Sequence, residues 1–387
     1  MRDGRGRNKR KFGVEEELLL VDAATLRPSP LGEQAVVLHH GITSSGSGLA
    51  TELKQEQIES VCPPQTTLEG QLQAIRSGRA AADAAAQAAG GRAVALATSP
   101  VAAASHFTSS ARFAMIADRF GMTAKEQLTN GFHVHVEVSS ICEAVAALDQ
   151  IRVWLPTLLA LSANSPFWQG ADTGFASYRY QAWSRWPTSG PTEFFGADTG
   201  YLNYRQSLLD TMVPLDQAMI YSDARICEHQ STLEVRIADV CLEAEHAAVL
   251  AAIIRALVET AARDPQIQPP GIPASLLRVW SWEASRSGTE GKLIHPRSGT
   301  PAPAAEVARA LLEQLEPVLE DYGDLDQVRF EVARILRDGS GARAQRQAFA
   351  SRGRIPDIVA MAIDRTHAGA AEAAASPLSV GRAPAPD

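Results

Sequence analysis

The chain has 387 residues, 45% hydrophobic and 21% charged, with a net charge of −8, an ordinary globular composition long enough for one large domain or two ordinary ones. The acidic balance argues against a nucleic-acid partner, which needs a basic face; it permits ATP if metal ions and a few arginines supply local positive charge. No apolar run reaches the ~18 residues of a membrane span, and Cys62, Cys142, Cys227 and Cys241 form no CxxC pair, so the chain reads as cytoplasmic, with no membrane partner and no structural zinc.

The start, MRDGRGRNKRK, has no apolar signal core and reads as a disordered basic arm over residues 1–11. GVEEELLLVD follows, in a strand over about residues 12–22. Side chains alternate along a strand, so Glu15 and Glu17 share one face and Glu16 takes the other. Two carboxylates about 7 Å apart on one face repel unless water or a cation sits between them, and Mg2+ or Mn2+ takes such ligands. An acidic edge strand that discourages aggregation is the plainer reading. Thr51–Pro64, TELKQEQIESVCPP, reads as one more alternating strand stopped by prolines. Its Glu52, Gln55, Gln57 and Glu59 exceed what a half-buried strand needs, so one face lines a polar cavity.

Thr67 caps a long alanine-rich helix ended by Gly90-Gly91. A short buried strand is expected over 93–98, and a helix over 112–120 that stops at Gly121. In GFHVHVEV (131–138), His133, His135 and Glu137 share one face, opposed by apolar Phe132, Val134, Val136 and Val138. A helix over 142–164 has a kink at Pro156. Residues 165–195 form a long aromatic stretch in which Arg179 and Arg185 alternate with Tyr178, Trp183 and Trp186. It reads as a mobile wall clamping an anionic substrate, or more plainly as a packed surface loop. A helix over 206–220 precedes STLEVRIADVCL (231–242), where Glu234 and Arg236 share a face and Val235, Ile237 and Asp239 the other. An acid and an arginine so spaced suit a metal-bound polyphosphate; a cross-strand salt bridge is the alternative. Further helices are expected over 243–262, 303–322, 324–338 and 341–351, with a proline-rich break at 265–273. Residues 277–296 carry Arg278, Trp282, Arg286 and His295 and, with 165–195, are the candidate acceptor wall. The tail over 368–387 reads as disordered. There is no P-loop and no Rossmann glycine fingerprint.

Three strands thus carry acids or histidines on one face, and Glu52 and Glu59 add a fourth stretch. The pattern predicts an α+β fold with an antiparallel sheet and helices on one side. It also predicts a nucleoside-triphosphate site built from carboxylates, cations and arginines. GVEEELLLVD, ELKQEQIESVCPP, GFHVHVEV, ALSANSPFWQGADTGFASYRYQAW, SRWPTSGPTEFFG and TLEVRIADVCL, in this order over residues 11–365, resemble the type 2 glutamate–cysteine ligase, or carboxylate–amine ligase, family. The resemblance implies a glutamine synthetase-like fold, a curved antiparallel β-sheet funnel flanked by helices, in one domain over 12–367. It implies ATP with Mg2+ or Mn2+. Glu15, Glu17 and Glu234 fall on metal ligands, joined by Glu52, and His133 lies beside metal and phosphates. His135, Arg225 and Arg236 belong to the nucleotide set. Glu59 matches the glutamate and metal region, and Arg179 is a candidate for the substrate carboxylate or the transferred phosphoryl group. Glu137 stands where many members have a small residue, and its role stays open. Thr98-Ser99-Pro100 stands where many have Thr-His-Pro.

The implied reaction activates the γ-carboxylate of glutamate as γ-glutamyl phosphate, which an amine such as cysteine attacks, releasing ADP and phosphate. Glu59 is the candidate base, and a homodimer is carried without a residue to support it. A metal-dependent hydrolase, suggested by HxH on a strand, and a catalytically silent binding protein on the same fold are the alternatives.

Overall fold

Burial dominates the first strand. β1 (Phe12–Asp22) spans its expected length and hydrogen-bonds on both edges. The computed structural model describes residues 9–39, 48–264 and 271–369; residues 1–8 of the arm, residues 265–270 of the proline-rich break and the tail from 370 lie outside the described residues. Lys9–Lys11 are described, and Arg10 pairs with Glu259 at 3.0 Å.

α1 (Gly32–His39) precedes β2 (Gly48–Thr51) and β3 (Gln57–Val61), which pair antiparallel. The Thr51–Pro64 stretch is therefore not one strand: the chain reverses at residues 52–56. Lys54 and Glu56 are fully buried there. The Lys54 ammonium donates to the Lys125 carbonyl at 3.0 Å over the Phe107 ring, and the Glu56 carboxylate accepts from the His106 amide at 2.9 Å. α2 (Leu68–Ala88) starts as expected, with Thr67 Oγ1 accepting from the Gly70 amide at 3.1 Å. β4 (Gly91–Val94) pairs with the second half of β1, Leu19–Asp22, and is shorter than expected. α3 (Ala111–Phe120) stops at Gly121, whose φ of +50° favours glycine; α4 (Met122–Lys125) follows. β5 (Gly131–Glu137) takes the first half of β1, Phe12–Glu16.

The expected 142–164 helix is α5 (Ile141–Ile151), a 3-10 turn (Arg152–Trp154) and α6 (Leu155–Ser162). Pro156 has no N–H for the Arg152 carbonyl, so the turn before it tightens. Ile141–Ser162 is long and apolar enough to cross a membrane, which corrects the reading that no run approaches that length; it is almost wholly buried inside the molecule, as a core helix is. Residues 165–195 are folded rather than a bare loop, with β6 (Phe167–Trp168), β7 (Ala171–Asp172) and α7 (Tyr178–Trp183). α8 (Asp198–Asp210) replaces the helix expected at 206–220. Met212 at φ +54° and Pro214 end helical geometry before that span is complete.

β8 (Ala224–Cys227) and β9 (Thr232–Asp239) complete an open sheet of seven antiparallel strands, ordered β2-β3-β1-β5-β9-β8 with β4 also on β1. Phe132 faces Ala238 but Val134 faces Val235, so β9 carries one extra residue against β5. The bulge reverses the alternation beyond it. Asp239 therefore does not stay with Val235 and Ile237: it stands opposite Gly131, on the His133 side.

α9 (Ala244–Arg263) is buried almost all round and packs on α2 and α5. α10 (Ala274–Ser287), β10 (Lys292–Ile294), β11 (Pro301–Pro303), α11 (Ala304–Tyr322), α12 (Leu325–Asp338), α13 (Gly341–Arg352) and α14 (Ile355–Thr366) close the chain. α14 was not among the expected helices. Phe12, Val14, Phe132, Val134, Leu233 and Val235 share one core with α5, α6 and α9. This apolar face turns the other face, with its acids and histidines, to a cavity.

Candidate active site

Strand register builds the site. Glu17 stands directly opposite Glu59, and Glu15 opposite His133. His135 stands opposite Glu234, which faces Arg225 on its other side. The result is one row of acids and imidazoles across β3, β1, β5, β9 and β8. His133 Nδ1 lies 3.5 Å from Glu15 and 3.9 Å from Glu234, and its Nε2 lies 3.7 Å from Glu17. His135 Nε2 lies 3.4 Å from Glu15 and 3.8 Å from Glu234. Glu16, on the opposite face, is paired: Arg79 grips it through bonds of 3.0 and 2.7 Å, with both side chains out of water.

The electrostatics divide the carboxylates into two groups. Burial opposes charge on Glu15 and Glu234, yet both are held well below the usual carboxylate range. His133 and His135 do this for Glu15; Arg236 and Arg225, which both bond the carboxylate, do it for Glu234. Glu52 and Glu59 go the other way. Burial, then Glu17, pushes Glu52 up to about 8; burial, then Glu52, Glu15 and Glu17, raises Glu59 well above its ordinary value. Burial and then Arg236 lower the proton affinity of His133, against Glu15, Glu17 and Glu234, and so favour the neutral ring that can ligate.

These residues fit a divalent cation. Like charges directly opposite on paired strands are destabilising, and Glu17 and Glu59 are such a pair. Ligand atoms of Glu17, Glu59 and His133 lie within 4.8 Å of one another, as do those of Glu15, His133 and Glu234. His135 Nδ1 lies 3.1 Å from the Thr232 hydroxyl, while its buried Nε2 has no hydrogen-bond partner among the described residues. A third such group, His135, Cys227 and Glu234, includes a cysteine that the sequence reading left unassigned. β8 brings it there, next to the pairing with Glu234.

Two cavities flank the row and share Glu15. The first, about 280 Å³, is lined by Glu15, Glu17, Glu52, Glu59, His133, Arg225 and Arg236. Its opposite wall is Phe113, Ile116, Trp183, Trp186 and Tyr221, with Arg112 held by Asp216 through bonds of 3.0 Å. Arg112 escaped the sequence reading, because only the packing of α3 over the sheet brings it here. The second cavity, about 370 Å³, is lined by Phe12, Val14, Val61 and Pro64 with Lys11, His135 and Glu137. Glu137 is exposed at that rim and accepts from the Lys11 amide.

Other expectations shift. Arg179 is buried and lines neither cavity. Its guanidinium donates to the carbonyls of Arg236 and Ile237 at 3.2 Å and faces Asp239 at 3.9 Å. Asp239 in turn accepts from Ser165, Ser177 and the Asn164 amide. Arg185 is no clamp: it points out to Glu126. Residues 277–296 stand behind the 165–195 segment, where Arg278 donates to the Ser189 carbonyl, Arg286 to the Gly174 carbonyl, and Trp282 meets Phe175 edge-on. None of them lines the first cavity.

Comparison with known proteins agrees with this architecture. The model of glutamate-cysteine ligase family 2 matches residues 11–362. A protein of Paenarthrobacter aurescens strain TC1, provisionally named glutamate–cysteine ligase 2-1, is 48% identical over 92% of this chain and 95% of its own. One from Streptomyces coelicolor, provisionally named glutamate–cysteine ligase 2, is 42% identical over 93% and 99%. Among solved structures, a glutamate–cysteine ligase of Francisella tularensis in complex with AMP aligns with a TM-score of 0.63 at 12% identity, over 95% of this chain and 94% of that one. A bifunctional glutathione synthetase of Pasteurella multocida aligns at 0.69 and 15%, over 94% of this chain but 53% of that one. At such identities the structures show a shared glutamine synthetase-like ligase fold. The chain belongs to glutamate–cysteine ligase family 2, a family of carboxylate–amine ligases.

Proposed function

We propose that this chain is an ATP-dependent ligase that joins the γ-carboxylate of glutamate to an amine, with cysteine the default acceptor, through γ-glutamyl phosphate. The observation that carries the reading is the row Glu59–Glu17, Glu15–His133, His135–Glu234–Arg225, with a cavity on each side and Glu15 common to both. The apolar second cavity suits a nucleotide base, and the exposed Val61 and Pro64 would pack against it. The first cavity suits the carboxylate and amine substrates. Glu15, Glu17, Glu59, His133 and Glu234 would hold the divalent cation, with Glu52 beside them. When bound, it supplies Lewis-acid neutralisation of the phosphoryl oxygens.

A carboxylate is a poor acyl donor, because its leaving group would be oxide. In the first step a γ-carboxylate oxygen attacks the γ-phosphorus of ATP and ADP leaves. In the second the amine attacks the acyl carbon, loses a proton, and phosphate leaves. Both steps concentrate negative charge, so positioning and electrostatics do most of the catalysis. Arg236 and Arg225 supply fixed positive charge at the row, already oriented by Glu234. Glu59 is the candidate acceptor of the amine proton in its ionised form, which cation binding favours. Arg179 acts as a positioning residue that fixes β9 through its carbonyls.

The test is ADP release from ATP with Mg2+ or Mn2+, glutamate and a panel of amines. Turnover that requires both glutamate and an amine is the expected result. No glutamate-dependent turnover with any amine removes the proposal, and product formation without ATP selects a hydrolase instead.

A further inference from the structure

A cavity of about 430 Å³, sharing no residue with the two cavities of the sheet face, opens between the start of α9, the end of α12, the start of α13 and α14. Four arginines line it, Arg334, Arg337, Arg343 and Arg365, against two carboxylates, Glu243 and Asp338. Arg334 and Arg365 are committed to Glu243, and Arg334 also to Glu331. Among the described residues the ion pairs of Arg337 and Arg343 are with exposed partners, Asp338 at 2.9 Å and Glu290 at 3.4 Å, contacts that water screens and a stronger anion displaces. At the floor, His246 is 7% exposed, and its Nε2 is buried with no hydrogen-bond partner among the described residues. The nearest carboxylates, Glu243 and Glu331, lie 3.7 and 3.9 Å away. The 12-residue α13 begins at this cavity, capped by Ser340 without a side-chain hydrogen bond.

We infer that this cavity is a binding site for a small phosphate-bearing polyanion, separate from the catalytic face. Arginine forks match phosphate oxygens two at a time, and a helix N-terminus favours negative charge. The His246 ring nitrogen and the Ser340 hydroxyl offer two further bonds. The volume accommodates more than a single phosphate group.

The test titrates inorganic pyrophosphate into the full chain with chelator present, reading the ring-nitrogen resonances of His246. Those resonances report this cavity whatever happens at the catalytic face. The expected result is a saturable shift that needs at least tenfold more pyrophosphate in the Arg337→Ser/Arg343→Ser variant. Both side chains are well exposed, at 66% and 42%, so the variant keeps the parent melting temperature. A His246 signal that does not move, or that moves equally in the variant, overturns the site. Citrate is expected to bind at least tenfold more weakly; equal binding overturns the phosphate assignment.

Discussion

Glu16→Gln removes one charge from a pair that water does not reach. Glu16 is 0% and Arg79 1% exposed, and two parallel bonds join them. Arg79 also donates to the carbonyls of Cys241 and Leu242 at 2.6 and 3.0 Å, so its guanidinium stays in place when the partner changes. An arginine does not shed its proton. Leaving it buried without its counter-charge costs about 3–5 kcal/mol. For a domain of this size that is a fall of roughly 4–7 °C in Tm. Glu16 faces away from the cavities, so turnover per folded molecule stays within about twofold. Glu15→Gln and Glu17→Gln reverse the pattern in activity, with turnover down at least about 100-fold, the scale of losing a preorganised electrostatic contact. Denaturant unfolding and turnover on the same preparations make the comparison. A cost below about 1 kcal/mol for Glu16→Gln, within the range of ordinary surface substitutions, refutes the division of β1 by face. So does a loss of turnover equal to that of Glu15→Gln.

Glu52 links stability to pH. Its raised proton affinity, about 8 against 4.5 in the unfolded chain, makes its contribution fully present below pH 4.5 and lost as pH rises through 8. Discounted for its position at a solvated cavity wall, the metal-free protein loses about 1–2 kcal/mol between pH 5 and 8. Melting curves in chelator check this; Glu52→Gln should flatten the profile, and a wild-type profile already flat contradicts it. Mg2+ binding at pH 7 should release protons from Glu52 and Glu59, read as a dependence of the binding heat on buffer ionisation; no such dependence argues against cation binding at these acids. Gly131→Ala would place a Cβ 2.4 Å from the Arg179 guanidinium and 2.8 Å from His133 Nε2. Both are side-chain ends, so the fold survives, and turnover should fall about tenfold or more as the two shift; full activity would show that their placement is loose.

The faces of β1, β5 and most of β9 were legible because burial on one side forces period-two alternation, and Val134, Val136 and Val235 mark the buried side. The β9 bulge left no mark: no glycine signals the extra residue, so Asp239 read on the wrong face. Lys54 and Glu56 look solvent-facing in an alternating pattern, yet partners from residues 106–125 bury them and divide the stretch in two. Arg112 and Cys227 reach the site only through packing of α3 and pairing of β8. Arg179 and Arg185 share a motif with the aromatic wall, but α7 turns Arg179 inward beneath β9, while the turn that follows the helix carries Arg185 out to Glu126.

Glutamate labelled with 18O in its γ-carboxylate follows the bond that makes this chemistry. Attack of that carboxylate on the γ-phosphorus transfers one oxygen to the phosphate released when the amine displaces it. Mass analysis of the phosphate after turnover with ATP, metal and amine should find one 18O per phosphate. Unlabelled phosphate alongside amide product would contradict activation through γ-glutamyl phosphate.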